Sequence, residues 1–159
     1  MTTPTSPRTT LLTLCLLLAL AGPAFPAAPK PVPTKADIPY GSHPHQLLDV
    51  YVPPKGTAPF PVVIWFGGLW KADKHAPVEH FLPNGCAAVA VEMRTMGEAV
   101  EGKISPPVSV CLFDARRAVQ FVRLHAGEQH LDPNRIALGG GSQGALPAIY
   151  AGCPCLDSE

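Results

Sequence analysis

The chain has no excess charge of either sign: Lys and Arg number 12, Asp and Glu also 12. That balance offers neither nucleic acid nor an anionic membrane surface a field to follow. It also lacks a long hydrophobic run. The longest, residues 11–21, falls short of the roughly 20 apolar residues that span a bilayer. Cysteine ligands are too sparse for a metal array: Cys153-x-Cys155 has no partner pair at a ligand spacing. No internal repeat is present, which excludes solenoids and propellers. The last absence bears on chemistry: no histidine follows position 130.

Apolar residues make up 47% and charged residues 15% of the 159, which supports one domain with a buried core. Much of the proline lies in the first third, which reads as loop and linker. Arg8 is the only charge before residues 11–21, and small residues follow at Ala21-Gly22 and Ala27-Ala28. A charged start, an apolar middle and a small-residue exit describe a secretory signal peptide over residues 1–27, the alternative being an uncleaved anchor. Residues 28–37 then read as a Pro-rich linker and 38–159 as the folded domain. Export places the protein outside the cytoplasm, secreted or periplasmic. Cys15 leaves with the signal, and Cys86, Cys111, Cys153 and Cys155 enter a compartment that permits disulfides. Their pairing is open; for Cys86 and Cys111, buried free thiols are the simpler reading.

From residue 46 the pattern alternates. Residues 46–52 predict a strand, with Leu48, Val50 and Val52 on one side. Residues 61–66 (Pro-Val-Val-Ile-Trp-Phe) and 86–91 predict strands buried on both faces. Residues 76–82 predict a short helix ended by Pro83-Asn84-Gly85, and 95–105 a polar, Gly-bearing loop. Ser105 and Pro106 suit the cap and first position of a helix. Its buried stripe is Cys111, Ala115, Ala118, Val119 and Val122, and its solvated face bears Arg116, Arg117, Gln120 and Arg123. Leu131-Asp132-Pro133-Asn134 predicts a turn before a strand over 135–138, and 143–151 a helix that Pro147 disturbs. Strand–helix alternation of this kind gives an α/β fold, a mainly parallel sheet flanked by helices.

In such a sheet, ligands gather at the carboxyl ends of strands. Two glycine-bearing turns fall there. One is Gly140-x-Ser142-x-Gly144, the pattern of a serine nucleophile on a strand-to-helix bend, with Gly140 and Gly144 as the elbow glycines. The other is Gly67-Gly68-Leu69-Trp70, directly after the strand ending at Phe66. Acyl transfer by serine needs a nucleophile, a base and donors for the oxyanion. Ser142 is the candidate nucleophile, and the backbone amides of Gln143, Gly68 and Leu69 are the candidate oxyanion donors. Plainer readings stand beside these: a glycine turn without a ligand for Gly67-Gly68, packing for Trp70, exposed loop histidines in preference to a metal pair for His43-Pro44-His45, and local pairing with Arg117 or the backbone for Asp114. Gly139-x-Gly141-x-x-Gly144 also fits a dinucleotide fingerprint, but several strands precede it and the acidic residue expected about 20 residues on would lie at or beyond the last residue of the sequence.

An ordered set of stretches resembles the α/β-hydrolase superfamily, in its secreted bacterial esterase/lipase branch with feruloyl- and acetyl-xylan-esterase-like members. The set is Ile38-Pro39-Tyr40-Gly41, Leu48-Asp49-Val50-Tyr51, Val62-Val63-Ile64-Trp65 into Gly67-Gly68-Leu69-Trp70, Asp114-Ala115-Arg116-Arg117-Ala118, Leu131-Asp132-Pro133-Asn134-Arg135-Ile136 and the Ser142 elbow. The resemblance covers residues 38–152 and implies a carboxylic-ester hydrolase with no metal and no organic cofactor. It implies a small-molecule or carbohydrate-linked ester as substrate, with no nucleic-acid partner and no membrane after signal removal. Two departures stand out. The family commonly has a His before the Gly-Gly of the oxyanion turn, where this chain has Phe66. The family order is Ser, then Asp or Glu, then His, yet His43, His45, His75, His80, His125 and His130 all precede Ser142, and Asp157 follows it too closely. The chain is therefore expected to be the amino-terminal part of a hydrolase, inactive by itself. The alternatives are an exported non-catalytic fragment or pseudoenzyme that binds a partner and, remotely, a dinucleotide-binding oxidoreductase.

Overall fold

A computed structural model describes residues 30–153. The signal-peptide reading, Cys15, Cys155 and Asp157 lie outside the described residues. Five strands form one sheet in the order β1-β2-β4-β3-β5. They are β1 (Lys35–Pro39), β2 (Leu47–Tyr51), β3 (Phe60–Phe66), β4 (Ala87–Val91) and β5 (Leu131–Gly140). Four helices accompany them: α1 (Val78–Phe81), α2 (Met96–Glu101), α3 (Ser109–Leu124) and α4 (Ala145–Gly152). β3 pairs in parallel with both β4 and β5, while β2 is antiparallel to β4 and to β1. Only β2 therefore runs against the rest, and the sheet is mainly parallel with helices on both faces, as the alternating pattern predicts.

Burial explains the layers. β4 is buried at every residue: Ala87, Val89 and Val91 join the main core under α3, and Ala88 and Ala90 face a smaller core with Val78 of α1. β3 departs from the expectation of two fully buried faces. Phe60, Val62, Ile64 and Phe66 are buried, but Val63 and Trp65 are half-buried. Among the described residues their face is covered by a small cluster built on the four-residue α1 and Leu82 just after it, where Trp65 packs against Phe81 at 6.0 Å between ring centroids. The stripe on α3 is as expected, with Cys111, Ala115, Ala118, Val119 and Val122 all buried. Burial pushes the Cys111 thiol up to about 11, helped by the charge of Asp114, so it stays protonated and inert at neutral pH.

Several boundaries differ from the sequence expectation, each for a local reason. β1 takes in residues 35–37, which read as linker, and its amino end is tied down where Thr34 N–H donates to Val50 O at 2.8 Å. α3 begins at Ser109, not after Ser105. Pro106 precedes Pro107, and a residue before proline is pushed out of the helical region, so the helix starts only beyond the pair. The segment read as a polar loop contains α2. Its start is a full capping box, in which Thr95 Oγ1 accepts from Glu98 N–H and the Glu98 carboxylate accepts from Thr95 N–H. The Asp132 turn is present, with Asp132 Oδ1 accepting from Asn134 N–H at 2.9 Å, but it lies inside β5 as an irregularity between its pairings with Phe60 and Val62. Arg116 is half-buried, its guanidinium 4.5 Å from the Tyr150 ring centre on α4, and so is not part of a purely solvated face.

Asp114 corrects the expectation of a local pair with Arg117. Its side chain is 1% exposed and accepts from Arg94 Nε at 3.0 Å, Arg94 Nη2 at 2.7 Å, Arg94 backbone N at 3.0 Å and Gln46 Nε2 at 2.7 Å. Hydrogen bonding to Asp114 raises the Arg94 guanidinium further above its ordinary value. One buried carboxylate thus joins α3, the segment after β4 and the loop before β2. Replacing one partner of such a pair leaves the other charge buried. Asp114→Ala is expected to lower unfolding stability by about 3–5 kcal/mol, read from the midpoint of urea denaturation; Asp114→Asn should lose less because its carbonyl oxygen can still accept the two bonds made to one of the carboxylate oxygens.

Candidate functional site

β5 ends at Gly140, and Ser142 follows with φ 53°, in the left-handed region. That conformation costs a residue with a Cβ about 1–2 kcal/mol, so it persists only where the surroundings enforce it. Here they do. A Cβ on Gly140 would lie 2.1 Å from Gly144 O, and a Cβ on Gly144 would lie 2.3 Å from Phe66 O and 2.7 Å from Gly67 O. The two glycines serve close approach of backbone to backbone, and the unusual dihedral falls on the serine itself. Ser142 is exposed and begins a short 3-10 turn that leads into α4. Pro147 therefore sits buried within a regular helix while the irregularity lies ahead of it.

The second glycine turn stands at the carboxyl end of β3, the strand beside β5. Phe66 is in register with Gly140, so both turns leave the same edge of the sheet side by side. Gly68 is exposed and a Cβ there would meet nothing within 4 Å, whereas Leu69 is buried. Among the described residues the Gly68 and Leu69 amides donate to no protein group, which leaves both available to a ligand oxygen. Gln143, the third candidate donor, is exposed directly after the serine. Phe66 is wholly buried and does not brace the turn through a polar group. Other contacts do so: Leu69 O accepts from Met96 N at 2.8 Å, and a Cβ on Gly67 would lie 3.0 Å from Asp73 O. Lys74, just beyond, donates to Asp37 and pairs with Asp49 at 2.9 Å, tying the turn's far end to β1 and β2. Burial pulls the Lys74 ammonium down, and the two carboxylates more than reverse it, so its pKa is raised. No sequence pattern marked Lys74, because its partners lie 37 and 25 positions earlier in the chain.

Trp70 does not pack as expected. It is 59% exposed, directly after the Gly67–Gly68–Leu69 turn.

The structure brings Ser142, Gln143, Gly68 and Leu69 to one sheet edge, and it brings no histidine to the serine. The Ser142 side chain hydrogen-bonds to no described imidazole. His130 sits at the opposite end of the sheet, where its carbonyl accepts from Phe60 N–H at 2.9 Å. His125 contacts Glu128 at the end of α3. His43 and His45 are on the carboxyl edge but face Glu98. A groove of about 490 Å³ lies elsewhere, between α3, β5 and α4, with Arg116, Ile136, Leu138 and Cys153 on its walls. Cys86, Cys111 and Cys153 are free thiols, and no described helix is long and apolar enough to cross a membrane.

Comparison with known proteins bears on the family and the fold. The BD-FAE family model matches residues 48–155. A protein of Arabidopsis thaliana named as a probable isoprenylcysteine alpha-carbonyl methylesterase is 33% identical over 116 residues, covering 70% of this chain and 23% of that protein. A rice protein named likewise is 33% identical over 117 residues. This chain spans about a quarter of the length of these curated relatives. Among solved structures, a truncated form of a carbohydrate esterase from gut microbiota superposes with a TM-score of 0.64 at 26% identity, covering 80% of this chain and 45% of that one. Esterase 2 of Thermogutta terrifontis superposes with a TM-score of 0.55 at 27% identity, covering 78% and 47%.

The elbow geometry predicts opposite effects for two substitutions. Ser142→Gly relieves the left-handed residue and should raise unfolding stability by about 0.5–1 kcal/mol. Gly144→Ala drives a methyl into the Phe66 carbonyl and should lower it by about 1–3 kcal/mol. Chemical denaturation of the two variants beside the parent checks both signs.

Proposed function

The chain belongs to the BD-FAE family of esterase-like α/β-hydrolases, and from that premise we propose that it carries the nucleophile and oxyanion site of a serine carboxylic-ester hydrolase. The observation that supports this most is the left-handed Ser142 on an elbow whose Gly144 lies directly against the Phe66 and Gly67 carbonyls. Strain at a non-glycine residue is retained where function holds it.

In the proposed reaction the Ser142 oxygen forms a bond to the ester carbonyl carbon, and its proton passes to a general base. The carbonyl electron pair moves onto oxygen, and the amides of Gln143, Gly68 and Leu69 receive that charge. Collapse of the intermediate breaks the bond to the alcohol, which leaves with the proton, and water later releases the acid from the serine. The base and its acidic partner are not assigned within these residues: every histidine precedes Ser142 and none contacts it. The exposed Trp70 beside the donors would take the apolar or planar part of a small-molecule or carbohydrate-linked ester. A second reading, a binding protein without turnover, draws on the same missing contact between Ser142 and an imidazole.

Two measurements separate these readings. A fluorophosphonate probe should label Ser142 in the longest product of this reading frame, and Ser142→Ala should abolish the label; no label there would favour binding alone. Purified as 159 residues, the chain should hydrolyse p-nitrophenyl acetate only at the residual level that donors and binding provide, roughly 10³–10⁴ over water. A stoichiometric burst would show that a base is present after all.

We further propose that residues 1–27 direct export, on the charged, apolar and small-residue order of that segment. The mature amino terminus should then begin near Ala28 when the protein is recovered from outside the cytoplasm, and an intact Met1 would refute export by cleavage.

A further inference from the structure

We propose that His43, His45 and Glu98 form a binding site for a divalent transition-metal ion of the Zn²⁺ type, at the same sheet edge as Ser142 but separate from it. One ligand atom from each residue lies within 4.8 Å of the other two. His45 Nδ1 is 3.1 Å and His43 Nε2 3.8 Å from the same oxygen, Glu98 Oε1. A tetrahedral ion with bonds of about 2.1 Å holds its ligand atoms roughly 3.4 Å apart, and the two observed separations bracket that value. The cluster is better completed by an ion than by a proton. A proton between His45 and Glu98 satisfies one imidazole and leaves His43 Nε2 beyond hydrogen-bond range of the carboxylate. An ion would engage all three and keep a fourth position for water.

The ligands are held from outside the cluster, as metal sites require. Glu98 Oε2 accepts from Thr95 N at 2.7 Å and from Thr95 Oγ1 at 2.9 Å, which fixes the carboxylate with both oxygens close to His45 Nδ1, at 3.1 and 3.2 Å. The histidine rings meet edge to face with centroids 5.6 Å apart. His43 Nδ1 accepts from His45 N–H at 3.2 Å. Coordination through Nε2 moves the ring proton to Nδ1 and turns that amide to water, so the affinity should be moderate. Glu92 lies near enough to His45 for the two charges to interact, which adds negative potential. An ion here would join the loop before β2 to α2, whose first residue, Met96, donates to the Leu69 carbonyl of the oxyanion turn.

The test is a titration of the 159-residue chain with ZnCl₂, read by thermal unfolding, and with CoCl₂, read by visible absorption. The expected result is a melting temperature several degrees higher at saturating Zn²⁺ and a tetrahedral Co²⁺ spectrum at one equivalent without thiolate charge transfer. A His43→Ala/His45→Ala variant should fold, since both side chains are at least a third exposed, and should lose both signals. Glu98→Gln keeps the capping box, because glutamine serves there as well, yet should weaken Co²⁺ binding by about tenfold or more. The proposal is overturned by an unchanged melting temperature in Zn²⁺, by the same shift in the double variant, or by a thiolate–cobalt band that places the ion on cysteine. None of these readouts depends on ester hydrolysis.

Discussion

At position 144 there is room for a hydrogen and nothing more. The backbone there lies so close to the carbonyls of Phe66 and Gly67 that a methyl group would stand 2.3 Å from the first. This contact joins the turn after β5 to the turn after β3. It cannot slide, because the parallel ladder holds Val62, Val63, Ile64, Trp65 and Phe66 opposite Ile136, Ala137, Leu138, Gly139 and Gly140. With the strands in register and the turns in contact, Ser142 has no route out of the left-handed region except local unfolding. The strain is held by the sheet, and it leaves Ser142 exposed beside the turn that follows β3.

Two polar brackets hold the remaining loops at this edge, and they differ in strength. Asp114 is buried, and the donors on its oxygens come from Gln46 and Arg94, so losing one partner strands a charge in the core. Lys74 is 15% exposed at its side chain, but Asp37 is 70% exposed. The bond to Asp37 belongs to the surface class, worth about 0–1 kcal/mol, and that to the buried Asp49 is the firmer one. The edge is therefore stiff where α3, the β4 exit and the loop before β2 meet, and softer where the residues after the oxyanion turn run back to β1. Without a histidine at position 66, the turn's shape rests on the buried Leu69, on its carbonyl's bond to Met96 and on this lysine.

What could be read in the sequence was what glycine, proline and apolar periodicity encode locally. The Gly140–Ser142–Gly144 spacing, the strand exits and the stripe on α3 all depend on neighbours a few positions away. The elbow's own logic was legible only in part: the glycines were read as sources of conformational freedom, and their use proved to be close approach, which needs the partner strand to be seen. α2 was concealed by Gly97 and Gly102, although Thr95 and Glu98 spelled its cap. β1 was concealed by the prolines before it. The partners of Asp114 lie 20 and 68 positions away, and no local pattern announces a contact at that separation. Trp70 read as packing because tryptophan usually is buried; its exposure follows from the turn that lifts it off the sheet.

The carboxyl edge divides into two chemical regions on one frame. At the ends of β3 and β5 stand the exposed Ser142 and the Gly67–Gly68–Leu69 turn, which we propose hold a nucleophile and oxyanion donors, and no histidine contacts Ser142. At the end of β4 and the start of β2 stand two imidazoles, but they are turned to Glu98 and so are not presented to the hydroxyl. Oxyanion donors lower the energy of a charge that forms only after deprotonation, so they multiply the effect of a base and do not replace one. The regions are nevertheless mechanically joined. Glu98 caps α2, α2 begins with the amide that holds the Leu69 carbonyl, and Leu69 carries one of the amides proposed as donors. Whatever fixes the imidazole cluster, a proton or an ion, therefore also fixes the position of an amide on which acyl transfer at Ser142 would depend.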